Sequence, residues 1–285
     1  MSSKAPTDLV IQAPEIGTPD LKRLARLTGA TAIEALAGAE TQAFRLVQPA
    51  STDGVAGFCA EAGYDFGFVP RDQRLSRVRL VAMDMDSTLI TIECVDEIAD
   101  MRGAKAEVAA ITEQAMRGEI DFAESLSRRV ALLRGLEVAA LQRVYDERLA
   151  LSQGAEHMLK GFSQAGAKTL LVSGGFTFFT DRLKARLDFD YAVASVLETA
   201  DDKLTGRIAG PMVDGPAKAE AFARLSRQLR GEDGVTVAIG DGANDLPMLA
   251  SADVSIAYRA KPIVRDKTHF AIDHCGLDAV LNLFL

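Results

Sequence analysis

Two aspartates end an apolar run of the sequence. Residues 80–89 read LVAMDMDSTL, so Asp84 and Asp86 follow a segment with the composition of a buried strand. Carboxylates at such a place are costly unless a cation or hydrogen bonds compensate them. Residues two apart in an extended segment point to the same side, so both carboxylates can converge on one metal ion or one substrate atom. An oxygen-rich site of this kind suits Mg²⁺.

Other polar groups follow further apolar runs. Ser173 begins the triplet SGG, which offers a hydroxyl and backbone N–H groups to a phosphate. Lys218, in GPAKAEA, supplies a positive charge, and Asp241 and Asp245, in GDGANDLPML, add two more carboxylates. Phosphoryl transfer needs groups of these kinds: a phosphate-binding loop, a lysine, carboxylates that bind magnesium, and one further carboxylate.

The apolar runs alternate with amphipathic stretches. Strands are predicted at residues 78–83, 169–172, 235–239 and 254–257, and helices at 154–165, 177–187 and 217–229. Buried strands that alternate with helices predict an α/β fold with a doubly wound, mostly parallel sheet. In such folds ligands bind beyond the carboxyl ends of the strands, and the polar groups fall at those ends.

Two segments depart from this alternation. From about residue 91 to 153 the pattern is almost entirely helical, and we expect a small helical cap inserted over the strand ends. Residues 1–77 are predicted to form a separate, small α+β domain, with strands at 9–12, 43–47 and 65–69 and helices at 19–27 and 54–62. Residues 78–285 then form the domain that carries the polar groups and the cap.

Composition narrows the class of function. A net charge of -8 without a basic run argues against nucleic-acid binding. No apolar run approaches the roughly 18 residues of a membrane span, and the N-terminus lacks the pattern of a signal peptide. Cys59, Cys94 and Cys275 match neither a disulfide framework nor a zinc site. We therefore expect a cytoplasmic protein with no nucleic-acid or membrane partner.

The motifs resemble those of a known superfamily. DMDST, SGG, a distant lysine and GDGAND match, in that order, the four motifs of the haloacid dehalogenase superfamily phosphatases, and the resemblance runs from about Arg79 to the C-terminus. Within the insert, ECVDEIAD at residues 93–100 and MRGEIDFAESLSRRVALL at residues 116–133 resemble the cap of the phosphoserine phosphatases. The motif order indicates the superfamily, whereas the cap residues indicate the substrate.

The resemblance implies a role for each motif residue. Asp84 is expected to be the nucleophile that becomes an aspartyl phosphate, and Asp86 the general acid and base. Mg²⁺ is expected to bind Asp84, the backbone carbonyl of Asp86, and Asp241, with Asp245 bracing that set. The remaining residues are expected to bind the phosphoryl group or orient groups near it; they are Ser173, Gly174, Lys218 and Asn244.

The resemblance also implies how the cap reads its substrate. Glu93 is expected to meet the ammonium group of phosphoserine, and Arg129 its carboxylate, whose planar shape suits a bidentate guanidinium. Met116 and Phe122 are expected to wall the pocket and help exclude water. Read without the resemblance, Met116 and Phe122 are ordinary helix-core residues and Arg129 is a solvated helix charge.

The activity that follows is magnesium-dependent hydrolysis of O-phosphoserine to serine and inorganic phosphate, the last step of serine biosynthesis. Two alternatives stay open at this point: a phosphatase or phosphomutase of another small phosphomonoester, and a regulatory amino-acid-binding protein with a vestigial catalytic domain. Residues 1–77 resemble an ACT-like regulatory module, although only three of its four strands are predicted. A role for this unit in assembly, as in a homodimer, is equally open.

Overall fold

Two β-sheets organise the chain. The computed structural model describes residues 6–36 and 41–285, with the side chain of Met116 excepted. The first sheet is antiparallel, has the order β2-β3-β1-β4 and is formed by β1 (Thr7–Ala13), β2 (Ala32–Leu36), β3 (Gln42–Val47) and β4 (Asp65–Pro70). With α1 (Thr18–Thr28) and α2 (Val55–Ala62) it gives the chain order β-α-β-β-α-β, that of the ferredoxin-like split fold. The ACT-like interpretation stays a prediction.

Within the first sheet, β2 is the strand that the sequence pattern did not predict. Its five residues, AIEAL, are exposed or nearly so, and they neither alternate in polarity nor form an apolar run. An edge strand without a buried face lacks the periodic signal on which strand prediction relies. The other three strands of this sheet were predicted to within two residues at each end.

The first sheet packs directly against the rest of the protein. Alternate residues of β1 pack into different hydrophobic cores. Leu9 and Ile11 pack with α1 and α2, whereas Val10 packs into the larger core, which it shares with residues of the second sheet. The buried Asp65 carboxylate accepts hydrogen bonds from three successive backbone N–H groups, those of residues 273–275, at 2.8–3.0 Å. A Cβ on Gly67 would lie 2.6 Å from the ring of Phe270, so the two units approach closely here.

The second sheet has seven strands in the order β11-β10-β9-β5-β6-β7-β8. Its neighbouring strands pair in parallel except for the antiparallel pair β7 and β8. The strands are β5 (Val78–Met83), β6 (Lys168–Phe176), β7 (Tyr191–Ala200), β8 (Lys203–Ala209), β9 (Val235–Gly240), β10 (Val254–Tyr258) and β11 (Phe270–Ile272). The predicted α/β fold with a mostly parallel sheet is confirmed.

Helices cover both faces of the second sheet and its strand ends. The inserted segment contributes α3 (Cys94–Asp100), α4 (Lys105–Met116), α5 (Phe122–Ala131) and α6 (Ala139–Glu147). The remaining helices are α7 (Ala155–Gln164), α8 (Thr177–Leu187), α9 (Gly215–Leu229), α10 (Leu246–Ser251) and α11 (Pro262–Arg265). None of the described helices has the length and apolar character needed to cross a membrane.

Strand β5 shows why the sheet is doubly wound. From Leu80 onward its residues are apolar on both sides: Val81 and Met83 join the core that includes α7 and α8, and Leu80 and Ala82 join the core that includes α9 and α10. A stretch buried on both faces is continuously apolar in sequence. After the partly buried Arg79 near the start of the strand, the next polar side chain is that of Asp84, directly after the strand ends.

A β-hairpin that the sequence pattern did not predict supports the cap. The chain after α5 pairs with the β7–β8 hairpin through backbone hydrogen bonds from Gly135 to Leu204 and from Leu204 to Leu136, each 2.8 Å long. A third bond, 2.9 Å long, joins the N–H of Val138 to the carbonyl of Asp202. The cap is thus anchored to the edge of the second sheet.

Two threonine–aspartate pairs join neighbouring strands at the opposite end of the sheet. Asp190 accepts hydrogen bonds from the backbone N–H and the hydroxyl of Thr169, and its own N–H donates back to that hydroxyl at 3.1 Å. Asp253 makes the same three bonds with Thr236. Because β6 and β9 flank β5 on either side, these pairs brace the strands that carry the polar ends.

Candidate active site

Asp84 lies at the carboxyl end of the central strand β5. Its backbone N–H donates to the carbonyl of Ile239 on β9, 3.1 Å away, and Oδ1 accepts from the N–H of Met85 at 2.7 Å. The chain then turns sharply, and the carbonyls of Asp84 and Met85 accept from the N–H groups of Leu89 and Ile90. The side chain of Asp84 is therefore fixed before any ligand binds.

Lys218 lies beneath Asp84 and is completely buried. Its Nζ atom is 2.7 Å from Oδ2 of Asp84 and 2.7 Å from Oδ1 of Asp245. Helix α9 presents this lysine in its first turn, where Asp214 caps the helix by accepting from the N–H of Ala217. Burial alone lowers the pKa of Lys218, but the two carboxylates raise that pKa by more, so the ammonium stays charged.

The carboxylates of Asp84, Asp241 and Asp245 form an acidic cluster in which one oxygen of each lies within 4.8 Å of the others. Burial, together with the neighbouring Asp245 carboxylate, raises the pKa of Asp84 well above its usual range and that of Asp241 to about 6. One lysine does not compensate three clustered carboxylates, two of them buried and the third partly buried. The residues present therefore fit a divalent cation with oxygen ligands.

Asp241 and Asp245, the members of this cluster that follow β9, have different hydrogen-bond partners. Asp241 Oδ1 accepts from the hydroxyl of Thr88 at 2.9 Å, which leaves its other oxygen for a ligand. Asp245 uses both oxygens: Oδ1 accepts from Lys218, and Oδ2 from the N–H groups of Asp241 and Gly242 at 3.2 and 3.0 Å. Asp245 thus orients the loop that bears Asp241.

Asp86 is held separately from the cluster. Its Oδ1 accepts from the backbone N–H of Cys94 at 3.3 Å, at the start of α3. Burial and, to a smaller extent, the nearby Glu93 carboxylate raise the pKa of Asp86 to about 7. A carboxyl group with a pKa near neutrality can both donate and accept a proton at physiological pH.

The SGG triplet borders both aspartates. Ser173 is buried, and its Oγ accepts from the N–H of Gly175 at 2.8 Å. A Cβ on Gly174 would lie 2.9 Å from Cζ of Phe122 in the cap, and a Cβ on Gly175 would lie 3.0 Å from Oδ2 of Asp86. Glycine is needed at both positions because side chains from the cap and from the strand ends approach the backbone here.

A cavity of about 670 Å³ lies between the cap and the strand ends. Such a volume suits a small organic ligand. Lys218 and Asp245 lie beneath its floor, and the side chain of Met116 lies outside the described part of the structure. The predicted residues that line the cavity are Asp84, Asp86, Glu93, Phe122, Arg129, Ser173, Gly174, Asp241 and Asn244.

The cap side of the cavity carries groups of both charges. Glu93 Oε1 accepts from the hydroxyl of Ser87 at 2.7 Å. Among the described residues, the buried Nε of Arg129 has no hydrogen-bond partner, nor does the buried Oδ1 of Asp96, which also lines the cavity. A buried guanidinium N–H without a partner is costly, so this site favours an anionic ligand group.

Three polar residues of the site were absent from the sequence prediction. Ser87 and Thr88 belong to the DMDST motif itself, and Asp96 lies within ECVDEIAD. The motif match marked the segments but not these side chains, because their roles depend on partners elsewhere in the fold. Thr88, for example, contacts a residue 153 positions away.

Comparisons with known proteins agree with this geometry. The haloacid dehalogenase-like hydrolase family matches residues 81–250, and a domain of unknown function, DUF4072, matches residues 9–53. A phosphoserine phosphatase of Polaromonas sp. is 54% identical over 217 residues, which cover 74% of this chain and 92% of that protein.

Two solved structures are similar over different shares of the chain. A probable phosphoserine phosphatase from Vibrio cholerae superposes with a TM-score of 0.83 at 32% identity, covering 99% of this chain and 88% of that one. A substrate-bound phosphoserine phosphatase complex superposes with a TM-score of 0.68 at 36% identity, covering 73% of this chain and 99% of that one. The first likeness includes the N-terminal sheet.

Proposed function

The chain belongs to the haloacid dehalogenase-like hydrolase family, and we propose that it hydrolyses O-phosphoserine to serine and inorganic phosphate through an aspartyl-phosphate intermediate. This reaction is the last step of serine biosynthesis. One observation carries the proposal. A single cavity joins a buried lysine–aspartate site for a phosphoryl group to a cap that presents Glu93 and Arg129, one anion and one cation. Phosphoserine, with its phosphate, ammonium and carboxylate, matches all three features.

Asp84 is the nucleophile of this reaction. Its carboxylate attacks phosphorus while the bond to the serine oxygen breaks, which forms the aspartyl phosphate and releases serine. Lys218 lowers the pKa of Asp84, which favours its carboxylate form, and compensates charge on the phosphoryl group. Ser173, Gly174 and Asn244 bind or orient the phosphoryl oxygens. The bonds that hold Asp84 in place before substrate arrives reduce the entropic cost of reaching the reactive geometry.

Asp86 moves the proton in both half-reactions. In its protonated form it gives a proton to the departing serine oxygen, and as a carboxylate it then takes one from the water that attacks the aspartyl phosphate. Its raised pKa, about 7, makes both forms accessible near neutral pH. The N–H of Cys94 keeps its carboxyl group oriented toward the cavity.

The acidic cluster is the metal site of this proposal. Mg²⁺ would be held by Asp84 and Asp241 of the cluster and by the backbone carbonyl of Asp86, and Asp245 braces the loop that bears Asp241. When bound, Mg²⁺ supplies compensation for the negative charge of the phosphoryl oxygens. The preference for magnesium is inferred from the all-oxygen donor set.

The cap reads the amino-acid part of the substrate. Glu93 binds the ammonium group, and the fork of Arg129 binds the carboxylate. Phe122 packs over Gly174 and excludes water from the reacting groups.

The N-terminal sheet serves regulation or assembly in this proposal, as an ACT-like unit of a homodimer. What supports assembly is the exposed edge strand β2, which can pair with a strand of another copy. Cytoplasmic location is likewise inferred, since Cys59, Cys94 and Cys275 are free and buried, which fits a reducing compartment.

A phosphate-release assay tests the function. Purified protein with Mg²⁺ is expected to release phosphate from phosphoserine with a higher kcat/KM than from phosphoethanolamine, 3-phosphoglycerate or a sugar phosphate. Preference for a substrate without an amino group would redirect the proposal to another small phosphomonoester. Binding of amino acids without any phosphate release would show that the catalytic domain is vestigial.

A further inference from the structure

Ser87, the residue after the second aspartate of DMDST, has an unusual backbone conformation. Its φ is 56° and its ψ is 0°, in the left-handed region that residues other than glycine rarely adopt. Residues held in this region cost of the order of 1 kcal/mol or more and are concentrated at functional sites. Ser87 also stands between Asp86 and Thr88, both of which face the cavity or its metal site.

This conformation lets Ser87 make two bonds to one short segment. Its hydroxyl donates to Oε1 of Glu93 at 2.7 Å, and its backbone N–H donates to the carbonyl of Ile92 at 3.3 Å. These two hydrogen bonds of Ser87 thereby join the two ends of the loop between Ser87 and Glu93. The Glu93 carboxylate is tied to the same turn that carries the two catalytic aspartates.

Glu93 needs such a partner. Its side chain is exposed and long, so an unrestrained carboxylate would sample many rotamers. The nearby Asp86 carboxyl, when ionised, repels it. Among the described residues, Ser87 is the side chain that donates a hydrogen bond to Glu93.

We propose that Ser87 is a positioning residue that holds the Glu93 carboxylate where it meets the ammonium group of the substrate. The inference rests on the proposed function, because it takes Glu93 as the group that reads the ammonium. Thr88 acts differently, since its hydroxyl orients Asp241 at the metal site. Of the two hydroxyl residues in the motif, Ser87 thus serves substrate recognition and Thr88 serves metal binding.

Two substitutions separate the hydroxyl from the backbone strain. Ser87→Ala removes the hydroxyl and keeps the strain, whereas Ser87→Gly removes both, because glycine accepts positive φ without cost. Both variants are expected to raise KM for phosphoserine about five- to tenfold, which lies within the range for one ordinary hydrogen bond and suits an exposed acceptor such as Glu93, with kcat changed less than about twofold. Hydrolysis of p-nitrophenyl phosphate, which has no ammonium group, should change less than about twofold in both.

A double-mutant cycle with Glu93→Ala, which removes the acceptor of the Ser87 hydroxyl, gives the decisive readout. If Ser87 acts through Glu93, adding Ser87→Ala to Glu93→Ala is expected to cause little further loss with phosphoserine. Thr91→Val is the matched control, because this neighbouring hydroxyl is exposed, bonds to the carbonyl of Ala150 and does not line the cavity. It should leave both substrates unaffected.

The outcomes that would overturn the inference differ from those that would overturn the function. Equal losses for phosphoserine and p-nitrophenyl phosphate, or additive effects of Ser87→Ala and Glu93→Ala, would show that Ser87 supports the turn or the chemistry instead. A wild-type protein that releases no phosphate from phosphoserine would overturn the proposed function, and the inference with it.

Discussion

Lys218 and Asp84 form an ion pair in which Nζ and Oδ2 are 2.7 Å apart and the lysine is completely buried. The same ammonium bonds Asp245, so one cation compensates two carboxylates in the interior of the protein. In a medium of low dielectric constant these charges cannot be separated cheaply. The pair therefore couples the stability of the sheet end to the ionisation of the proposed nucleophile.

The first prediction follows from this burial. Lys218→Met is expected to abolish turnover and to lower the free energy of unfolding by about 3–5 kcal/mol, because it leaves buried carboxylates without their cation. Lys168→Met is the matched control: Lys168 is half exposed and lies 2.6 Å from Asp190, so its loss should cost less than about 1 kcal/mol. Urea unfolding of both variants checks this. Equal costs would mean that burial does not set the strength of the Lys218 pair.

The second prediction separates the two aspartates of the motif. Asp84→Asn is expected to abolish both phosphoenzyme formation and turnover, because an amide is a poor nucleophile. Asp86→Asn should lose most turnover through failed proton transfer but still bind substrate and Mg²⁺. Rapid quench with labelled phosphoserine, followed by peptide mapping, locates the phosphorylated residue. Label on any residue other than Asp84 contradicts the assignment.

The third prediction concerns the metal. Activity should fall to background with a chelator and return with Mg²⁺, while Ca²⁺ should support it poorly because its larger coordination sphere recruits extra carboxylate oxygens. Mg²⁺ should also raise the melting temperature, since a ligand that binds the folded state stabilises it by about 2.7 kcal/mol at a hundred times its Kd. Asp241→Asn should remove this shift and the exposed control Asp233→Asn should keep it. Full activity in verified metal-free protein would refute the metal site.

The fourth prediction tests how the cap recognises its substrate. Arg129→Ala is expected to lower kcat/KM for phosphoserine by about thirtyfold to several thousandfold, since losing one partner of a buried charge pair costs about 2–5 kcal/mol. Phosphoethanolamine lacks the carboxylate, so its hydrolysis should change far less. Arg129→Lys should restore part of the loss, because an ammonium cannot form the forked contact.

The neighbouring Arg128 provides the control for this experiment. It is exposed and pairs with Glu124 on the surface of α5, away from the cavity. Arg128→Ala should leave both substrates unaffected. Equal losses of phosphoserine and phosphoethanolamine hydrolysis in Arg129→Ala would show that this arginine supports the fold or the phosphate instead of the carboxylate.

The fifth prediction concerns pH and stability at the opposite end of the sheet. Burial raises the pKa of Asp190, but hydrogen bonds from Lys168 and Thr169 outweigh it, so the net pKa lies below the ordinary value of 3.8. A depressed pKa stabilises the fold above the unfolded-state value, and this contribution is lost as pH falls through the folded-state value. Asp190→Asn should therefore be less stable than wild type at pH 6, with the difference shrinking below about pH 4.

Thermal unfolding between pH 3 and pH 7 measures that difference. Asp188→Asn is the control, because Asp188 is exposed two residues earlier and asparagine tolerates its left-handed conformation. Its stability relative to wild type should vary little with pH. A gap between Asp190→Asn and wild type that is constant across the range would show that the aspartate acts through its shape and not through its charge.

Local patterns in the sequence determined the main features of the fold. Strand β5 and helix α8 have the predicted bounds. A mostly apolar run indicates a strand that is buried on both faces, and a 3.6-residue periodicity indicates a helix that is buried on one face. The positions of Asp84 and Asp241 directly after their strands also followed from the sequence, because apolar residues lead up to both strand ends. Ser173 was predicted to follow a strand that ends at residue 172, but it lies within β6, which continues to Phe176.

Tertiary structure alone decided which distant residues meet. Nothing near Thr88 in the chain indicates that its hydroxyl orients Asp241, and nothing near Ser87 indicates its positive φ. Strand β2 and the β7–β8 hairpin also escaped prediction, because exposed or partly exposed strands at the sheet edges are stabilised by pairing with neighbours and by contact with the cap. Such interactions join segments far apart in sequence, so no local period records them.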